Sequence, residues 1–311
     1  MPPLSSMHVD SVLTNLSIKY RNDEMIWPLV MPVVKMNKRS DIFFTYNKAD
    51  SFKAVDDSMG PTGLANEIDW GVATDNYSVK DHGLGDWIPQ AMIEEADNPL
   101  QPEIDTNDFL NLCLDVAQEK RVADKTFAAA TYPAGNKIQL AGNDQWGGST
   151  DDPIADIETA IETCFQRANT LVFGLDAWII FRKLPEIVTA IKAMAGVTLD
   201  SGRVSAADVA AFFEVDRVLI GRSRYNTAKP GQAASYSRLW GKHMAALHIA
   251  KSPGVKSITF GLTVSEMLRT TYRDFDGKRG TKGSHYIRPA WNSDEKIVAS
   301  DCGYFIETAV A

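Results

Sequence analysis

Residues 106–129, TNDFLNLCLDVAQEKRVADKTFAA, carry the pattern of a long helix, which separates an extended opening from a compact unit. The residues that share one helical face, at spacings of three or four, are Phe109, Leu112, Cys113, Val116, Ala123 and Phe127. Polar residues at 105–108 supply helix caps and negative charge at the positive end of the helix dipole. Tyr132-Pro133 follows and stops the helix. At ~1.5 Å per residue the pattern predicts a helix about 36 Å long.

The sequence before this helix lacks such spacing and has the composition of strands and turns. Runs at 42–46 and 77–79 are joined by a segment rich in Gly, Pro and Asp, which predicts a long β-hairpin over about residues 41–80. A two-stranded hairpin alone is marginally stable in water. This part of the chain therefore needs a surface to lie on, either the rest of the chain or other copies of it.

A compact unit of helices and strands is predicted after the long helix, over residues 131–254. Asp152-Pro153 is a strong helix start, and Ser205 begins another helix with Asp208 in its first turn. The predicted helices cover 153–168, 175–183, 185–194 and 205–213, and the predicted strands cover 170–174, 217–221, 235–250 and 257–264. Alternating apolar residues from Ile258 to Val264 indicate a strand with one buried face. Shorter strand-like runs follow at 286–288, 296–298 and 303–306.

Composition and charge exclude several classes of protein. The chain has 311 residues, which at about 150 residues per domain predicts about two domains, or one domain with large excursions. Its net charge of −8 argues against a protein whose main task is to grip nucleic-acid phosphates. The longest apolar stretch, residues 25–34, is broken by two prolines and is too short to span a bilayer. With no basic, apolar leader at its start and with sparse cysteines, we expect a soluble protein of a reducing compartment.

An enzyme that uses a cysteine or histidine, such as a hydrolase, is the alternative to a structural protein. Cys113 and Cys164 lie on the apolar stripes of predicted helices, which indicates buried, inert thiols. Cys302 follows a carboxylate that would disfavour its thiolate. His243 and His248 are five positions apart on a predicted strand and so point to opposite faces. The sequence therefore predicts no catalytic, cofactor-binding or metal site.

A glycine-rich basic segment, residues 276–283, lacks the order of a phosphate-binding loop. It is interpreted as a mobile basic loop, whose functional role would be contact with a neighbouring subunit's acidic patch or with DNA. The acidic runs at 94–97 and 151–152 are interpreted as solvated faces or helix caps.

Aromatic residues in the opening third indicate an interface, because few partners for their burial are available in that part of the chain. An equally weighted alternative is that the tryptophans pack back on the helix at 106–129. The candidate subunit contacts are Trp27, Phe43, Phe44, Tyr46, Trp70 and Trp87. An extended opening, a long hairpin, one long helix and a compact unit suit a subunit of an assembly better than a solitary enzyme.

Several segments, in this order, resemble the major capsid proteins of tailed bacteriophages, the family with the Hong Kong 97 type fold. They are residues 27–34, 41–46, 119–124, 135–142, 152–158, 169–174, 213–221, 225–228, 231–235, 239–242 and 296–304. The resemblance implies an α+β fold with four parts. These are an N-terminal arm (1–40), an extended β-hairpin loop (41–87), a peripheral domain (88–130 and 255–295) with a spine helix at 106–129, and an axial α/β domain (131–254 and 296–311).

The resemblance also implies a function. Copies of the chain would form pentamers and hexamers that close into an icosahedral shell around double-stranded DNA, which is enclosed without sequence-specific binding. We expect a virion protein with no enzymatic activity, no cofactor and no membrane partner, assembled in the host cytoplasm. Arm-like sequence begins within the first 20 residues, so a separate scaffolding protein is expected, together with a portal. The alternative with the same fold is an encapsulin-like nanocompartment that stores a cargo enzyme, and neighbouring genes would separate the two.

Overall fold

The computed structural model describes residues 22, 25–46, 52–59, 65, 67–69, 71–96, 100–195, 203–252, 254 and 257–311. The helices in these residues are α1 (Trp27–Val30), α2 (Gln90–Glu94), α3 (Pro102–Thr126), α4 (Pro153–Thr163), α5 (Leu175–Phe181), α6 (Pro185–Ala195) and α7 (Ala206–Phe212). The strands are β1 (Val33–Lys35), β2 (Ser40–Tyr46), β3 (Val72–Ser78), β4 (Lys80–Gly83), β5 (Asp86–Pro89), β6 (Lys137–Gln139), β7 (Thr170–Gly174), β8 (Arg217–Gly221), β9 (Arg224–Asn226), β10 (Tyr236–Arg238), β11 (Met244–Leu247), β12 (Gly261–Ser265), β13 (Thr270–Asp276), β14 (Ser284–Ile297) and β15 (Gly303–Glu307). None of the helices is both long and apolar enough to cross a membrane.

The first of two larger sheets has six strands and is organised by β14. Its main path runs β1-β12-β14-β13, and β4 and β5 also pair with β14. The first part of β14 pairs with β13 and β5, and the later part pairs with β4 and β12. The sequence suggested only two short separate runs here, at 286–288 and 296–298. One continuous strand of 14 residues joins them, because partners lie along its whole length.

The second sheet has five strands in the order β6-β15-β11-β7-β8 and forms the centre of the compact unit. Successive residues of β7 point to opposite faces: Leu171 and Phe173 pack under α4 to α7, and Val172 packs on the other side with α1 and the end of α3. The strand closest to the C-terminus, β15, lies inside this sheet between β6 and β11. The last part of the chain is therefore built into the core.

Several local signals act as the sequence predicted. The Asp152 side chain accepts a hydrogen bond of 3.0 Å from the backbone N–H of Ala155 and so caps α4. Ser205 and Asp208 form a reciprocal capping box at the start of α7. The predicted strand at 170–174 and both short helices around Pro185 are present.

The strands predicted at 235–250 and 257–264 differ from the structure. The first is split into β10 and β11 by a turn in which Gly241 has a φ of +55°. The second begins only at Gly261, and Ile258 stays exposed. The predicted alternation of burial in β12 is wrong, since all five of its residues are buried. Strand β12 lies between β1 and β14 and is covered on both faces.

The long helix is present, but its bounds and its buried face differ from the prediction. It begins at Pro102, where the missing N–H of proline costs nothing, and it ends at Thr126. Its buried apolar residues include Leu110, Leu114 and Val122, whereas Phe109 is 60% exposed. The first part of the apolar stripe, at Phe109, therefore faces outward, whereas Ala123 and Phe127 near the end of the helix pack in the core. Hydrogen-bonded polar side chains occupy much of the buried face in between.

The carboxylate of Glu119, on the buried face of α3, has no exposure to solvent and accepts four hydrogen bonds. Oε1 accepts from the backbone N–H of Ile26 (3.1 Å), from Ser223 Oγ (3.1 Å) and from Trp240 Nε1 (2.6 Å). Oε2 accepts from the backbone N–H of Trp27 at 2.8 Å. Glu119 thus supplies the cap that α1 lacks in its own sequence, and it connects α1 and α3 to the segments that follow β8 and β10.

Adjacent side chains of α3 bond to the other sheet. Gln118 Nε2 donates to Glu295 Oε1 on β14 at 2.8 Å, and Arg121 Nε donates to the same oxygen at 3.3 Å. Ser293 Oγ donates to it at 2.8 Å, and Lys125 donates to the backbone carbonyl of Glu295. Burial alone would raise the pKa of Glu295, but the charge of Arg121 and these hydrogen bonds lower it overall. Helix α3 therefore joins both sheets through paired polar groups.

Replacement of Glu119 tests the first of these connections. We expect Glu119→Ala to lower the free energy of unfolding by at least about 3 kcal/mol, because several buried donors lose their acceptor. Glu119→Gln, which keeps one acceptor oxygen, should cost less. Asp124→Asn on the exposed side of α3 is the control and should stay within about 0.5 kcal/mol. Urea unfolding of the unassembled chain measures all three. Equal stabilities of the Ala variant and the control would contradict this role.

Glu119 also predicts a pH dependence. Burial raises its pKa above the ordinary value of 4.5 in spite of the hydrogen bonds, so the folded chain holds the proton more tightly than the unfolded chain. The resulting stabilisation is full below about pH 4.5 and is lost as the pH rises through the folded-state pKa. The difference in unfolding free energy between the parent and Glu119→Gln should therefore shrink as the pH rises. Urea titrations at several pH values measure this, and a difference that grows with pH would contradict it.

Candidate subunit interface

The predicted hairpin is formed by β2 and β3, which pair antiparallel from Ser40 opposite Ser78 to Tyr46 opposite Val72. The end of this ribbon next to the sheets is anchored in the chain. Tyr77, which is buried, packs with Val264 of β12, and Phe43 packs against the same small cluster. The anchored end of the hairpin is thus part of the folded chain.

Further out, the described residues of the hairpin expose large apolar side chains. Phe52 is 71% exposed, Met59 61% and Ile68 54%. The Phe52 ring meets the Phe165 ring edge-on, with centroids 5.1 Å apart, yet Phe165 itself is 45% exposed. Large apolar groups with this much exposure are typical of a surface that another protein covers.

Two of the predicted contact residues pack within the chain. Trp27 lies 5.8 Å from Trp291, ring centroid to centroid, beside α3, which corresponds to the alternative in which it packs back on the helix. Trp87 lies 4.7 Å from Tyr286, and the Arg279 guanidinium lies 4.2 Å above its ring. Both tryptophans keep partial exposure.

The remaining predicted contacts lie on the hairpin. Phe43 is half-buried, as described above. Phe44 pairs through its backbone with Thr74, and Tyr46 pairs with Val72, while their side chains fall outside the described part of the chain. Trp70 lies outside the described residues altogether. A role in subunit contact stays a prediction for all six residues.

The basic segment 276–283 forms the turn between β13 and β14. Lys282 pairs with Glu94 at the end of α2, and Arg279 lies over Trp87. The basic segment and one acidic run of the sequence therefore meet within one chain. Contact of this segment with a neighbouring subunit's acidic patch or with DNA stays a prediction.

An apolar stripe on α3 is left at the surface. Ile104 is 56% exposed and Phe109 60%, and Leu112, Cys113 and Val116 are half-buried. The first turns of α3 are held to β13 by a hydrogen bond of 3.0 Å from Thr271 Oγ1 to Asn107 Oδ1. The sequence pattern found most of this stripe but assigned it to the core. Spacing shows which residues share a face, and the buried polar residues beside them decided which face turned inward.

Two of the three cysteines lie in the buried part of the chain. Cys164 is buried, and burial raises the pKa of its thiol to about 12. A protonated thiol is a poor nucleophile, and Cys302 is buried as well. Among the described residues no group of three or more His, Cys, Asp or Glu is arranged to hold a metal ion.

The chain is similar in sequence over nearly its full length to a phage protein. It is 33% identical over 307 residues to the major capsid protein of Pseudomonas phage JBD67, covering 97% of each chain. The chain belongs to the major capsid protein family of tailed bacteriophages. No protein-family profile matches it.

Comparison with solved structures shows the fold of the chain. The capsid structure of cyanophage P-SCSP1u superposes with a TM-score of 0.64 at 11% identity, covering 98% of this chain and 94% of that one. A phage-related protein from Bordetella bronchiseptica superposes with a TM-score of 0.70 at 21% identity, covering 93% and 94%. The α+β fold is the Hong Kong 97 type, as the resemblance implied. The relatives are structural proteins of the capsid, and capsid proteins of phages are components of the virion.

Neighbouring residues of α3 allow the exposed stripe of this capsid chain to be tested separately from its core. We expect Phe109→Ser to change the unfolding free energy by less than about 0.5 kcal/mol, because the ring is mostly exposed. It should reduce assembly if another copy covers the ring. Leu110→Ala, which removes a buried side chain, should cost about 2–5 kcal/mol. Thermal melts and sedimentation of assembled material measure both. Unchanged assembly of Phe109→Ser would exclude this ring from the interface.

Proposed function

We propose that copies of this chain assemble as pentamers and hexamers into an icosahedral shell that encloses double-stranded phage DNA. The observation that carries the proposal is the 33% identity, across 97% of both chains, to the major capsid protein of Pseudomonas phage JBD67. That relative favours a viral shell over a nanocompartment with an enzyme cargo. The exposed apolar side chains of the hairpin and of α3 support assembly from copies of the chain.

The division into domains is part of the proposal. The arm would cover residues 1–40 and the extended loop 41–87. The peripheral domain, 88–130 and 255–295, would contain α3 as its spine helix together with most of the six-stranded sheet. The axial domain, 131–254 and 296–311, would contain the five-stranded sheet and α4 to α7. The largest buried cluster, which is drawn entirely from residues of the proposed axial domain, supports this division.

The remaining partners follow from the same proposal. Assembly would take place in the host cytoplasm with a separate scaffolding protein and a portal, and the protein would have no enzymatic activity. The net charge of −8 suits a wall that encloses DNA without gripping its phosphates, since tight binding would hinder packing and release.

Light scattering coupled to size exclusion, with electron microscopy of the same fractions, tests the proposal. The chain is expressed alone and together with its neighbouring genes. Closed or tubular particles of many copies are the expected result. A stable monomer in every condition, including in the presence of a scaffolding protein, would contradict it.

The extended loop offers a sharper prediction. Replacement of residues 53–66 by a short Gly-Ser linker should leave the circular dichroism and the melting temperature nearly unchanged, because the described residues there bury little surface within the chain. The anchored end of the hairpin, with Phe43 and Tyr77, is kept. Shell formation should be lost.

Thermal melts and micrographs compare this variant with the parent under identical co-expression. Normal shells from the variant would show that the loop is dispensable. A collapsed melting curve would show instead that the loop belongs to the stable core of the single chain.

A further inference from the structure

Charge is distributed very unevenly along the chain. Residues 217–265 contain eight Lys and Arg and no Asp or Glu, in a chain that carries 40 acidic and 32 basic residues. Residues 54–79, in the extended loop, contain five Asp and Glu and no Lys or Arg. Such segregation favours contacts between segments of opposite sign.

Residues 217–265 present part of their positive charge on a second hairpin, which β9 and β10 form. These strands pair from Arg224 opposite Arg238 to Asn226 opposite Tyr236. The turn is shaped by Asn226, whose Oδ1 accepts from the backbone N–H groups of Ala228 (3.0 Å) and Ser235 (3.1 Å). The base of the hairpin is fixed to α3, where Lys120 Nζ lies 5.3 Å from the centroid of the Tyr225 ring. The hairpin is thus an ordered projection.

Some of the basic side chains in residues 217–265 form ion pairs within the chain, and others are exposed. Arg238 pairs with Asp176, and Lys251 pairs with Asp216. Arg222, Arg224, Lys229 and Lys242 are exposed, and none of these four forms an ion pair within the described part of the chain. Tyr236 projects beside them with 69% exposure. The hairpin therefore combines available positive charge with an exposed aromatic ring.

The extended loop has the complementary character. Asp57, Glu67 and Asp69 are exposed and take part in no ion pair with other described residues. The apolar side chains of Met59 and Ile68 project from the same stretch, with exposures of 61% and 54%. Asp75, in contrast, is paired within the chain to Lys296 at 2.9 Å and belongs to the anchored end of the hairpin.

We propose that the β9–β10 hairpin of one copy is the docking site for the acidic extended loop of a neighbouring copy. The inference rests on the proposed function and names a subunit contact within it. Arg222, Arg224 and Lys229 would face Asp57, Glu67 and Asp69, and Tyr236 would pack against the exposed apolar side chains of the loop. Because the ion pairs lie at the rim of the contact, they select the partner and its register more than they add affinity.

A nucleic-acid partner for the hairpin is the competing occupant. Outside residues 217–265 the chain carries far more acidic than basic groups, which would repel phosphate from the surrounding surface. A second copy brings the matching acidic loop at the stoichiometry that a shell requires. The charges of the chain therefore favour its own loop.

Charge reversal tests the contact directly. The hairpin variant carries Arg222→Glu, Arg224→Glu and Lys229→Glu. The loop variant carries Asp57→Lys, Glu67→Lys and Asp69→Lys. We expect each alone to reduce the yield of shells at least about tenfold, because like charges then face each other. The variant with all six changes restores opposite charges and the parental net charge, and it should recover most of the yield.

A matched control carries Lys35→Glu, Lys80→Glu and Lys183→Glu, which are exposed lysines outside the proposed contact, with the same total change of charge as the hairpin variant. It should assemble as the parent does. Circular dichroism confirms folding of each variant, and sedimentation at low and high salt measures assembly. Assembly of the parent should weaken at high salt, because screening reduces the attraction between opposite charges. Assembly of the hairpin variant and of the loop variant should instead improve at high salt, because screening relieves their repulsion.

The outcomes separate the two proposals. If the parent forms no particles with its neighbouring genes, the proposed function fails. If the parent assembles and the six-change variant remains defective, the docking proposal is overturned. If the hairpin variant builds normal shells that protect less DNA from nuclease, the hairpin faces nucleic acid and the proposal is likewise overturned.

Discussion

The structure depends on a carboxylate that is sealed from water. Glu119 reaches its buried position only because four donors from distant parts of the chain meet its two oxygens. A buried carboxylate without such partners would cost several kcal/mol. Glu119 is needed by its partners as well, since the backbone N–H groups of Ile26 and Trp27 have no other acceptor among the described residues. The geometry of α1, α3 and the segments around Ser223 and Trp240 is therefore fixed by one group.

Helix α3 extends this constraint to the whole chain. Gln118 and Glu119 are adjacent, yet the first bonds to β14 and the second to α1 and the region after β8. One turn further, Val122 and Ala123 complete the apolar cluster on the second face of the five-stranded sheet. Both sheets are thereby held on one helix. A shell subunit needs such a stiff frame, because its loops must adapt to different neighbours while the body keeps its shape.

Most of the architecture could be predicted where the signals are local. Asp152-Pro153 and the Ser205–Asp208 capping box fix helix starts through contacts three residues apart, and the strand at 170–174 is a continuous apolar run. The length of β14 could not be predicted, because its middle residues are held by partners from β4 and β13 rather than by their own pattern. The burial of Glu119 could not be predicted either. Its four donors come together only in the folded chain.

The candidate interface could also be predicted only in part from the sequence. The stripe containing Phe109 was visible in the sequence, but a period of 3.6 residues cannot say whether a core or another subunit covers it. The polar residues on the opposite face decide which side of α3 is buried. Gln118 and Glu119 lie inside because their hydrogen-bond partners are there, and Phe109 therefore lies outside. In an assembling protein the strictest requirements, those of buried charge, are met within the chain. Exposed apolar and charged groups tolerate water, so they need no partner within the single chain and are available to a neighbouring copy. The hairpin of β9 and β10 belongs to this second group, since Arg224 and Lys229 form no ion pair with other described residues and Tyr236 is exposed.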